Sequence, residues 1–371
     1  MACQGGEFGK SYFCLQIDNE SQPYFTFLSE YNRSWSDAAT LEAFVLISIF
    51  CLSIPGNVLV LIYIGKIKAR QTLTKYFIGN LVIADIAFAS TAPFTAYIRL
   101  QDTWVLGQST CSVLEYWMFV CASVSIWTMT LISIGRYRYI TQVTSSYTRL
   151  IKQHYCIICI GIWLICAVSF LPIAFFFQVK ETRFQNKTLK MCTLLWPKGD
   201  LSYSESFTVL VVILMCMLPL LIISVNYYRI YLKFYESRRA VENSDPQTVR
   251  RTQRCLWRNA RHQRVIRTLT NLVVAFVAMY LPTVIVIVVI EDDVSHSHNE
   301  VPSSALVWAM ALAYLNTVLN AVLYGSLFTD LPKIMRRCWA GQSDTTTGQQ
   351  DPQSVNTGIR NVGVPLRTIT L

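Results

Sequence analysis

The stretch AFVLISIFCLSIPGNVLVLIYIG, residues 43–65, runs for 23 positions without a charged side chain. About 20 apolar residues in a helix are enough to cross the roughly 30 Å of hydrocarbon in a bilayer. Six further runs of this kind lie near 76–98, 113–134, 155–178, 207–228, 268–290 and 301–328. Only two acidic or basic residues, Asp85 and Glu115, fall inside the seven runs. The sequence therefore predicts seven membrane-spanning segments.

The composition agrees with a chain that has lipid as its solvent. Charged residues make up 15% of the sequence and hydrophobic residues 53%, with a mean hydropathy of +0.37, whereas soluble domains carry about 25% charged residues. Strands of a membrane β-barrel would be about 10 residues long with alternating polarity. The runs are longer and uniformly apolar, so we expect an all-α integral membrane bundle of seven helices.

Basic residues are distributed asymmetrically between the two sets of loops. The segments between spans 1–2, 3–4 and 5–6, together with the C-terminal tail, hold 24 of the 32 Lys and Arg residues. Because cytoplasmic loops are enriched in Lys and Arg, the N-terminus is predicted outside and the C-terminus inside. The three glycosylation sequons, at Asn19, Asn32 and Asn186, all fall on the predicted outer side. The net charge of +10 is then explained by cytoplasmic loops that face anionic lipid and protein, without nucleic acid.

Two cysteines on the predicted outer side suggest a disulfide. Cys111 precedes span 3 and Cys192 lies in the second outer loop, both facing an oxidising compartment. A bridge between them would hold that loop over the mouth of the bundle. Cys3 and Cys14 are also outside, and the sequence leaves open whether they pair.

Three regions follow from this organisation. Residues 1–38 are an extracellular N-terminal segment, residues 39–340 are the membrane domain, and residues 341–371 are a polar tail predicted to be disordered. The stretch FTDLPKIMRRCWAG, residues 328–341, places apolar and basic side chains on different sides of a helix. It predicts a short helix in the inner membrane interface after span 7.

Each span carries a marker at a particular depth. The markers are GNVLV (56–60), NLVIADI (80–86), GRY (135–137), Trp163, Pro219 followed by Tyr227, MYLP (279–282) and LNAVLY (319–324). In order and spacing they resemble the rhodopsin-like (class A) G protein-coupled receptors over roughly residues 40–340. The resemblance implies a plasma-membrane receptor, not an enzyme, that acts on heterotrimeric G proteins and is regulated by arrestin and receptor kinases.

The resemblance also assigns roles inside the bundle. It implies coupling and switch roles for six residues: Arg136, Tyr137, Tyr227, Pro282, Asn320 and Tyr324. It places Asp85 with Ser125, Asn316 and Asn320 in an oxygen-rich pocket suited to an allosteric sodium ion, since hard cations prefer oxygen ligands. The alternative is that Asp85 is only hydrogen-bonded to Asn57 and Asn320.

Three positions depart from the family pattern. Gly135 replaces the usual aspartate before Arg136, Tyr280 replaces the usual tryptophan before the span-6 proline, and Ala321 replaces the usual proline of span 7. Tyr314 stands where an opsin needs its retinal lysine, which argues against light sensing. Met118 stands where amine receptors place an aspartate, which argues against a biogenic amine.

The outer half resembles the long-chain free fatty acid receptors most closely, through IRLQDTWVLG (98–107) and AVSFLPIAFFFQV (167–179). That resemblance implies that Arg99 grips a carboxylate, as guanidinium groups do bidentately. It also implies that Trp104 and Trp196 line an acyl-chain tunnel. The other candidate binding residues are Glu115, Met118, Tyr280 and Tyr314.

Glu115 stands against a carboxylate ligand. From span 3 it could neutralise Arg99, which would remove the anchor that a fatty acid needs. A peptide ligand and a melatonin-like indole therefore stay open beside a lipid carboxylate. A seven-span transporter is a remote alternative, because the spans contain only Asp85 and Glu115 as ionisable acids or bases.

Overall fold

The fold is taken from a computed structural model of the chain. It describes residues 11–17, 20–30, 36–66, 73–101, 103–140, 145–184, 187–197, 203–242, 267–268, 270–291 and 301–327. In chain order its elements are β1 (Tyr12–Ile17), β2 (Glu20–Phe25), α1 (Ser36–Lys66), α2 (Leu73–Ala89), α3 (Ala92–Arg99), α4 (Gly107–Ile140), α5 (Ser145–Ser169), α6 (Leu171–Phe176), β3 (Phe177–Phe184), β4 (Lys187–Leu194), α7 (Tyr203–Val211), a π-helical turn (Val212–Met217), α8 (Leu218–Glu242), α9 (Thr270–Glu291) and α10 (Ser303–Leu327).

Six of the predicted spans are helices long and apolar enough to cross a membrane. They cover Ala38–Lys66, Lys75–Arg99, Gly107–Arg138, Tyr203–Lys233, Thr270–Glu291 and Ser303–Gly325. Helices are the expected solution, because in hydrocarbon every backbone N–H and C=O must be satisfied within the segment. Together with span 4 they confirm the seven-helix membrane fold.

Span 4 differs from its predicted limits. The apolar helix covers Gln153–Ser169, and after a turn at Phe170 the short helix α6 continues to Phe176. The chain then changes to strand β3 at Phe177, although the apolar run had placed residues up to 178 in the span. Pro172 lies at the start of α6, where its missing N–H costs no helical hydrogen bond. Hydropathy alone does not separate an apolar helix from the apolar strand that follows it.

Two antiparallel hairpins lie on the predicted outer side, and the sequence analysis had predicted neither. Strand β1 pairs with β2 in the N-terminal segment, and β3 pairs with β4 in the second outer loop. The disulfide between Cys111 and Cys192 is present, with a Cα–Cα distance of 5.6 Å, and joins α4 to β4. The base of β3 is also fixed to α4, because Ser112 Oγ and Gln108 Nε2 both donate to the carbonyl oxygen of Phe177, at 2.8 and 2.9 Å.

Spans 1 and 7 approach closely at Gly56. A Cβ atom placed on Gly56 would lie 3.2 Å from the Cβ of Ala321, whereas one placed on Gly65 meets nothing within 4 Å. We expect Gly56→Val to lower the free energy of unfolding by about 1–3 kcal/mol, since a larger side chain overfills the contact. The measurement is thermal unfolding of the purified protein, with Gly65→Val as the matched control. Equal unfolding midpoints for the two variants would contradict the close contact.

Candidate functional site

A cavity of about 180 Å³ lies between the spans, hairpin β3–β4 and the N-terminal segment. Its walls come from spans 2, 3, 5, 6 and 7, from the region Phe170–Trp196 and from Phe27 of the N-terminal segment. The lining is overwhelmingly apolar and rich in aromatic rings. Among the described residues that line it, the charged side chains are Glu115 and Glu291, and there is no Lys, Arg or His. A mostly apolar cavity with a few polar groups is the usual form of a small-molecule site.

Glu115 and Met118 face the cavity from span 3, three residues apart and therefore on one side of the helix. Glu115 is 4% exposed, and its Oε1 atom has no hydrogen-bond partner among the described residues. The Met118 sulfur lies 3.1 Å from the hydroxyl oxygen of Tyr314. Tyr314 is fully buried behind the lining, where its hydroxyl is also 2.7 Å from Thr91 Oγ1.

Stacked aromatic rings form the inner end of the cavity. Tyr280 stacks on Phe276 with ring centroids 4.2 Å apart, and Phe88 stacks on Tyr314 at 4.6 Å. Phe88, Phe276 and Tyr280 all line the cavity. Tyr280 lies two residues before Pro282, so any ligand that displaces this ring acts on span 6 next to its proline.

Trp196 lies against the outer part of the cavity. Its ring packs between Phe176 and Phe207, with centroids 5.1 Å from each. Its indole Nε1 has no hydrogen-bond partner within the described part of the chain, and the same holds for the hydroxyl of Thr283. Both residues line the cavity, so an indole N–H and a hydroxyl are available to a bound molecule.

The π-helical turn of span 5 shapes the same wall. Pro219 has no N–H to offer the carbonyl of Met215, and its ring crowds that carbonyl, which accounts for the local loss of α-helical bonding. The wider turn brings Met215 and Cys216 to the cavity. The Met215 sulfur also accepts a hydrogen bond from Trp127 Nε1 at 3.3 Å, which ties span 5 to span 3.

Arg99 belongs to a different cluster. Its Nε lies 2.6 Å from Glu42 Oε2 of span 1 and its Nη2 lies 3.0 Å from Glu30 Oε2 of the N-terminal segment. Its Nη1 donates to the carbonyl oxygen of Leu28 at 2.9 Å and to Ser303 Oγ at 3.0 Å. The Arg99 side chain has 0% exposure. The structure therefore gives Arg99 these partners in place of the Glu115 pairing considered from the sequence, and Arg99 does not line the cavity.

Trp104 is also placed away from the cavity lining. Its indole Nε1 donates to the carbonyl oxygen of Gly107 at 2.9 Å. Its backbone N–H donates to the carbonyl oxygen of Lys190 at 2.8 Å. Gly107 has φ of +77°, a conformation that favours glycine. Trp104 therefore holds the first outer loop against the second, which is a structural role that the sequence resemblance did not suggest.

Phe27 is a lining residue that sequence reasoning missed. The N-terminal segment Phe25–Glu30 leaves hairpin β1–β2 and runs beside β4. There the Phe27 N–H donates to the carbonyl oxygen of Cys192 at 3.4 Å, and Thr193 Oγ1 donates to that of Phe25 at 2.8 Å. The Phe27 ring meets Phe177 edge-on at 4.8 Å. No periodic pattern or motif marks this segment, so the sequence carries no signal for its position.

A second group of buried polar atoms lies between spans 1, 2 and 7. Asn320 Nδ2 donates to Asp85 Oδ2 at 3.0 Å. Asp85 Oδ1, Asn320 Oδ1 and both side-chain polar atoms of Asn316 have no partner among the described residues. Asn57 Nδ2 donates to Ser53 and to the carbonyl oxygen of Thr317. The alternative interpretation was that Asp85 is hydrogen-bonded to Asn57 and Asn320. The bond with Asn320 is present, but the amide N–H groups of Asn57 donate to Ser53 and Thr317 instead.

Comparison with known proteins identifies the fold family. The profile of the family described as 7 transmembrane receptor (rhodopsin family) matches residues 56–324, which is more than half of the chain. The chain belongs to the rhodopsin family of seven-transmembrane receptors. It is thus a receptor and not an enzyme.

The relatives of this receptor are named after different kinds of ligand. Free fatty acid receptor 4 of Mus musculus is 28% identical over 86% of this chain and 87% of its own length. Neuropeptide Y receptor type 6 of Mus musculus is 28% identical over 79% of this chain and 80% of its own length. Neuropeptide Y receptor type 2 of Gallus gallus is 32% identical, but only over 51% of this chain. These similarities support the family and leave the ligand class of this receptor undecided.

At the end of the receptor opposite the hairpins, span 3 is packed against span 5. Arg229 lies over the ring of Tyr137, with its Cζ 5.8 Å from the centroid, and Asn226 Nδ2 donates to Ser133 Oγ at 3.1 Å. Tyr227 packs against the buried cluster to which Tyr324 belongs. The structure thus brings Tyr227 and Tyr324 together, two of the residues to which the family resemblance assigned a coupling role.

Several predicted sites fall outside the described residues. These are the sequons at Asn19, Asn32 and Asn186, and the interfacial helix at 328–341. Of the candidate binding residues, Glu115, Met118, Trp196 and Tyr280 line the cavity, Tyr314 contacts Met118, and Arg99 and Trp104 lie elsewhere.

Proposed function

We propose that this receptor binds a small, mostly apolar extracellular ligand in the cavity and transmits binding to a heterotrimeric G protein. The observation that carries the proposal is the position of the cavity. It adjoins the stacked rings of Tyr280 and Phe276 in span 6, next to Pro282. A ligand that moves these rings biases span 6, and the inner ends of spans 3, 5 and 6 form the surface for the G protein.

The proposed orientation places the N-terminus and both hairpins outside the cell. The excess of Lys and Arg on the inner segments supports it, as does the Cys111–Cys192 disulfide at the opposite end of the receptor. The corresponding location is the plasma membrane, with arrestin and receptor kinases as partners of the cytoplasmic side. Membrane lipid surrounds the exposed apolar faces, for example Ile157 and Leu164 of span 4, which are 66% and 60% exposed.

The cavity lining supports a ligand with an apolar body better than it supports a ligand with a carboxylate head group. The similarity to free fatty acid receptor 4 agrees with an acyl-like body. However, Arg99 is shared by two carboxyl groups of the receptor itself, and the charged residues of the cavity lining are both acidic. A fatty acid carboxylate would be desolvated beside these acids without a cation in the described lining to compensate, which is unfavourable.

A peptide ligand is favoured only by the similarity to neuropeptide Y receptors. In the structure, Phe27 and the strand pair β3–β4 contribute to the outer wall of the cavity. A peptide would have to displace the N-terminal segment from its contacts with Arg99 and Cys192. A small ligand requires less rearrangement, and this favours it.

We also propose that a sodium ion binds at Asp85 with Asn316, Asn320 and Ser125. The support comes from the unpartnered oxygens of Asp85, Asn316 and Asn320 in one buried region, since buried polar atoms are normally hydrogen-bonded or bound to an ion. Ser125 is 1% exposed on span 3. The measurement is thermal unfolding in sodium or in choline chloride at equal ionic strength. Sodium should raise the midpoint of the wild type but not of Asp85→Asn, and equal responses of the two proteins would contradict the site.

The coupling proposal is tested by nucleotide exchange on a panel of purified Gα subunits with the receptor in lipid nanodiscs. We expect exchange above the empty-nanodisc level with at least one Gα, and at least a tenfold slower rate for Arg136→Ala. The matched control is Arg138→Ala, which changes a neighbouring arginine outside the family triplet. Exchange that is absent with every Gα, or equal for the wild type and Arg136→Ala, would overturn the coupling role.

A further inference from the structure

Glu115 is a buried acid for which the described residues of the receptor provide no compensating partner. It is 4% exposed, it lines the cavity, and its Oε1 has no hydrogen-bond partner among the described residues. The carboxyl groups of Glu30 and Glu42 each form a salt bridge with Arg99. Glu115 therefore differs from Glu30 and Glu42, because its carboxyl group faces the cavity and not an arginine.

The surroundings of Glu115 offer no cation within the described lining. The neighbouring groups on span 3 are Met118 and Phe119, both uncharged, and apart from Glu291 those across the cavity are also uncharged. The other acid of the lining, Glu291, accepts a hydrogen bond from Ser204 at the outer ends of spans 5 and 6. The cavity thus presents a negative or hydrogen-bond-accepting group to whatever enters it.

An acid in the membrane interior without a partner is costly, and acids in this situation generally mark a functional site. A site that binds a charged ligand retains such an unfavourable group because the ligand supplies the opposite charge. The ligand-free protein is less stable as a result. Purely structural acids are instead paired, as Glu42 is with Arg99.

We propose that the ligand carries a protonated amine on an apolar body, and that the ammonium group pairs with the Glu115 carboxylate. This inference rests on the proposed receptor function and specifies its ligand class. The usual acidic position of amine receptors is occupied here by Met118, so the anchor is shifted by three residues, about one helical turn, along the same face of span 3. The apolar body lies among Phe119, Phe207 and Phe276, which all line the cavity.

Two further polar groups without a described partner indicate what else the ligand carries. The Trp196 indole N–H and the Thr283 hydroxyl line the same cavity. An indole N–H can only donate a hydrogen bond, so it suits an acceptor such as a carbonyl or ether oxygen on the ligand. A small amine with one hydrogen-bond acceptor satisfies Glu115 and Trp196 together.

Direct binding tests the head group without any G protein. The probes are octylamine, octanol and octanoate, which share one chain and differ in charge, added to purified receptor in nanodiscs while thermal unfolding is followed. We expect octylamine to raise the midpoint of the wild type, and the half-maximal concentration to increase at least tenfold in Glu115→Gln. Glu115→Asp keeps the charge, so its half-maximal concentration should lie between those of the wild type and Glu115→Gln. Partition of the probes into lipid affects all three proteins equally.

The stability of the ligand-free protein is the second readout. Glu115→Gln removes an uncompensated acid, so its unfolding midpoint should equal or exceed that of the wild type. Glu42→Gln is the matched control, because it removes the charge of a paired buried acid and should lower the midpoint. A lower midpoint for Glu115→Gln would indicate a structural role and overturn the proposal.

Three binding results would also overturn it: octylamine that acts equally on the wild type and Glu115→Gln, octanoate that acts at lower concentration than octylamine, or no effect of octylamine. These results are separate from the coupling test. Nucleotide exchange that depends on Arg136 would persist if the amine inference failed, and amine binding would persist if coupling failed.

Discussion

Arg99→Ala is expected to lower the free energy of unfolding of the receptor by about 3–5 kcal/mol, the usual cost of removing one partner from a buried ion pair. Arg99 lies between Glu30 and Glu42 with its side chain fully buried. Its removal breaks both salt bridges to these carboxyl groups, and the carbonyl oxygen of Leu28 and the hydroxyl of Ser303 lose this donor. The measurement is thermal or chemical unfolding of purified receptor, supported by the amount that reaches the cell surface.

The control for Arg99→Ala is Lys190→Ala. Lys190 pairs with Glu181 at 3.1 Å, but the two side chains are 55% and 58% exposed. An exposed pair contributes about 0–1 kcal/mol, so this variant should unfold close to the wild type. If Arg99→Ala unfolds like Lys190→Ala, the buried cluster does not hold the N-terminal segment. A second control, Arg99→Ala combined with Glu42→Gln and Glu30→Gln, should recover part of the lost stability because it removes the two carboxylate charges that Arg99 contacts.

Loss of the disulfide is the second large effect that we expect. Cys192→Ala should lower the free energy of unfolding by about 2–5 kcal/mol, the range for native disulfides, because the bridge closes a long loop and so restricts the unfolded chain. The two cysteines are 81 positions apart in sequence. Burial adds to this expectation, because Cys192 is 1% exposed and the variant loses the packing contacts of the removed sulfur.

The matched control for the disulfide is Cys51→Ala, which removes an unbridged cysteine that is exposed on span 1. It should unfold within about 0.5 kcal/mol of the wild type, as surface substitutions usually do. Reducing agent should lower the unfolding midpoint of the wild type to that of Cys192→Ala and leave Cys192→Ala unchanged. An unfolding midpoint shared by Cys192→Ala and Cys51→Ala would contradict the stabilising role.

The sequence predicts the membrane fold well because hydrocarbon imposes one strong requirement. A long apolar run such as 43–65 has few folded alternatives when backbone groups must be satisfied within the segment. The Cys111–Cys192 bridge was predictable for a similar reason, since both residues lie on the oxidising side next to the same mouth. The limits of span 4 were not predictable, because Phe175, Phe176 and Phe177 are equally apolar in helix and strand.

The candidate site was less predictable because it depends on contacts between distant parts of the chain. Arg99 resembles a carboxylate anchor in sequence, and Glu115 was its suggested partner. The partners that the structure provides, Glu30 and Glu42, lie in the N-terminal segment and in span 1, 69 and 57 positions away. No local pattern indicates which acid reaches a given arginine, so the charge of the cavity could not be obtained from the sequence.

Arg99 binds the receptor's own N-terminal segment, and amide hydrogen exchange measures this contact most directly. Thr26 and Phe27 donate their N–H groups to Ser11 and Cys192, so peptides that cover Phe25–Glu30 should exchange slowly in the wild type. In Arg99→Ala their exchange should be at least tenfold faster, while amides of the β3–β4 pair, held by Cys111–Cys192, stay protected. Fast exchange of Phe25–Glu30 in the wild type, or rates unchanged by Arg99→Ala, would contradict the account.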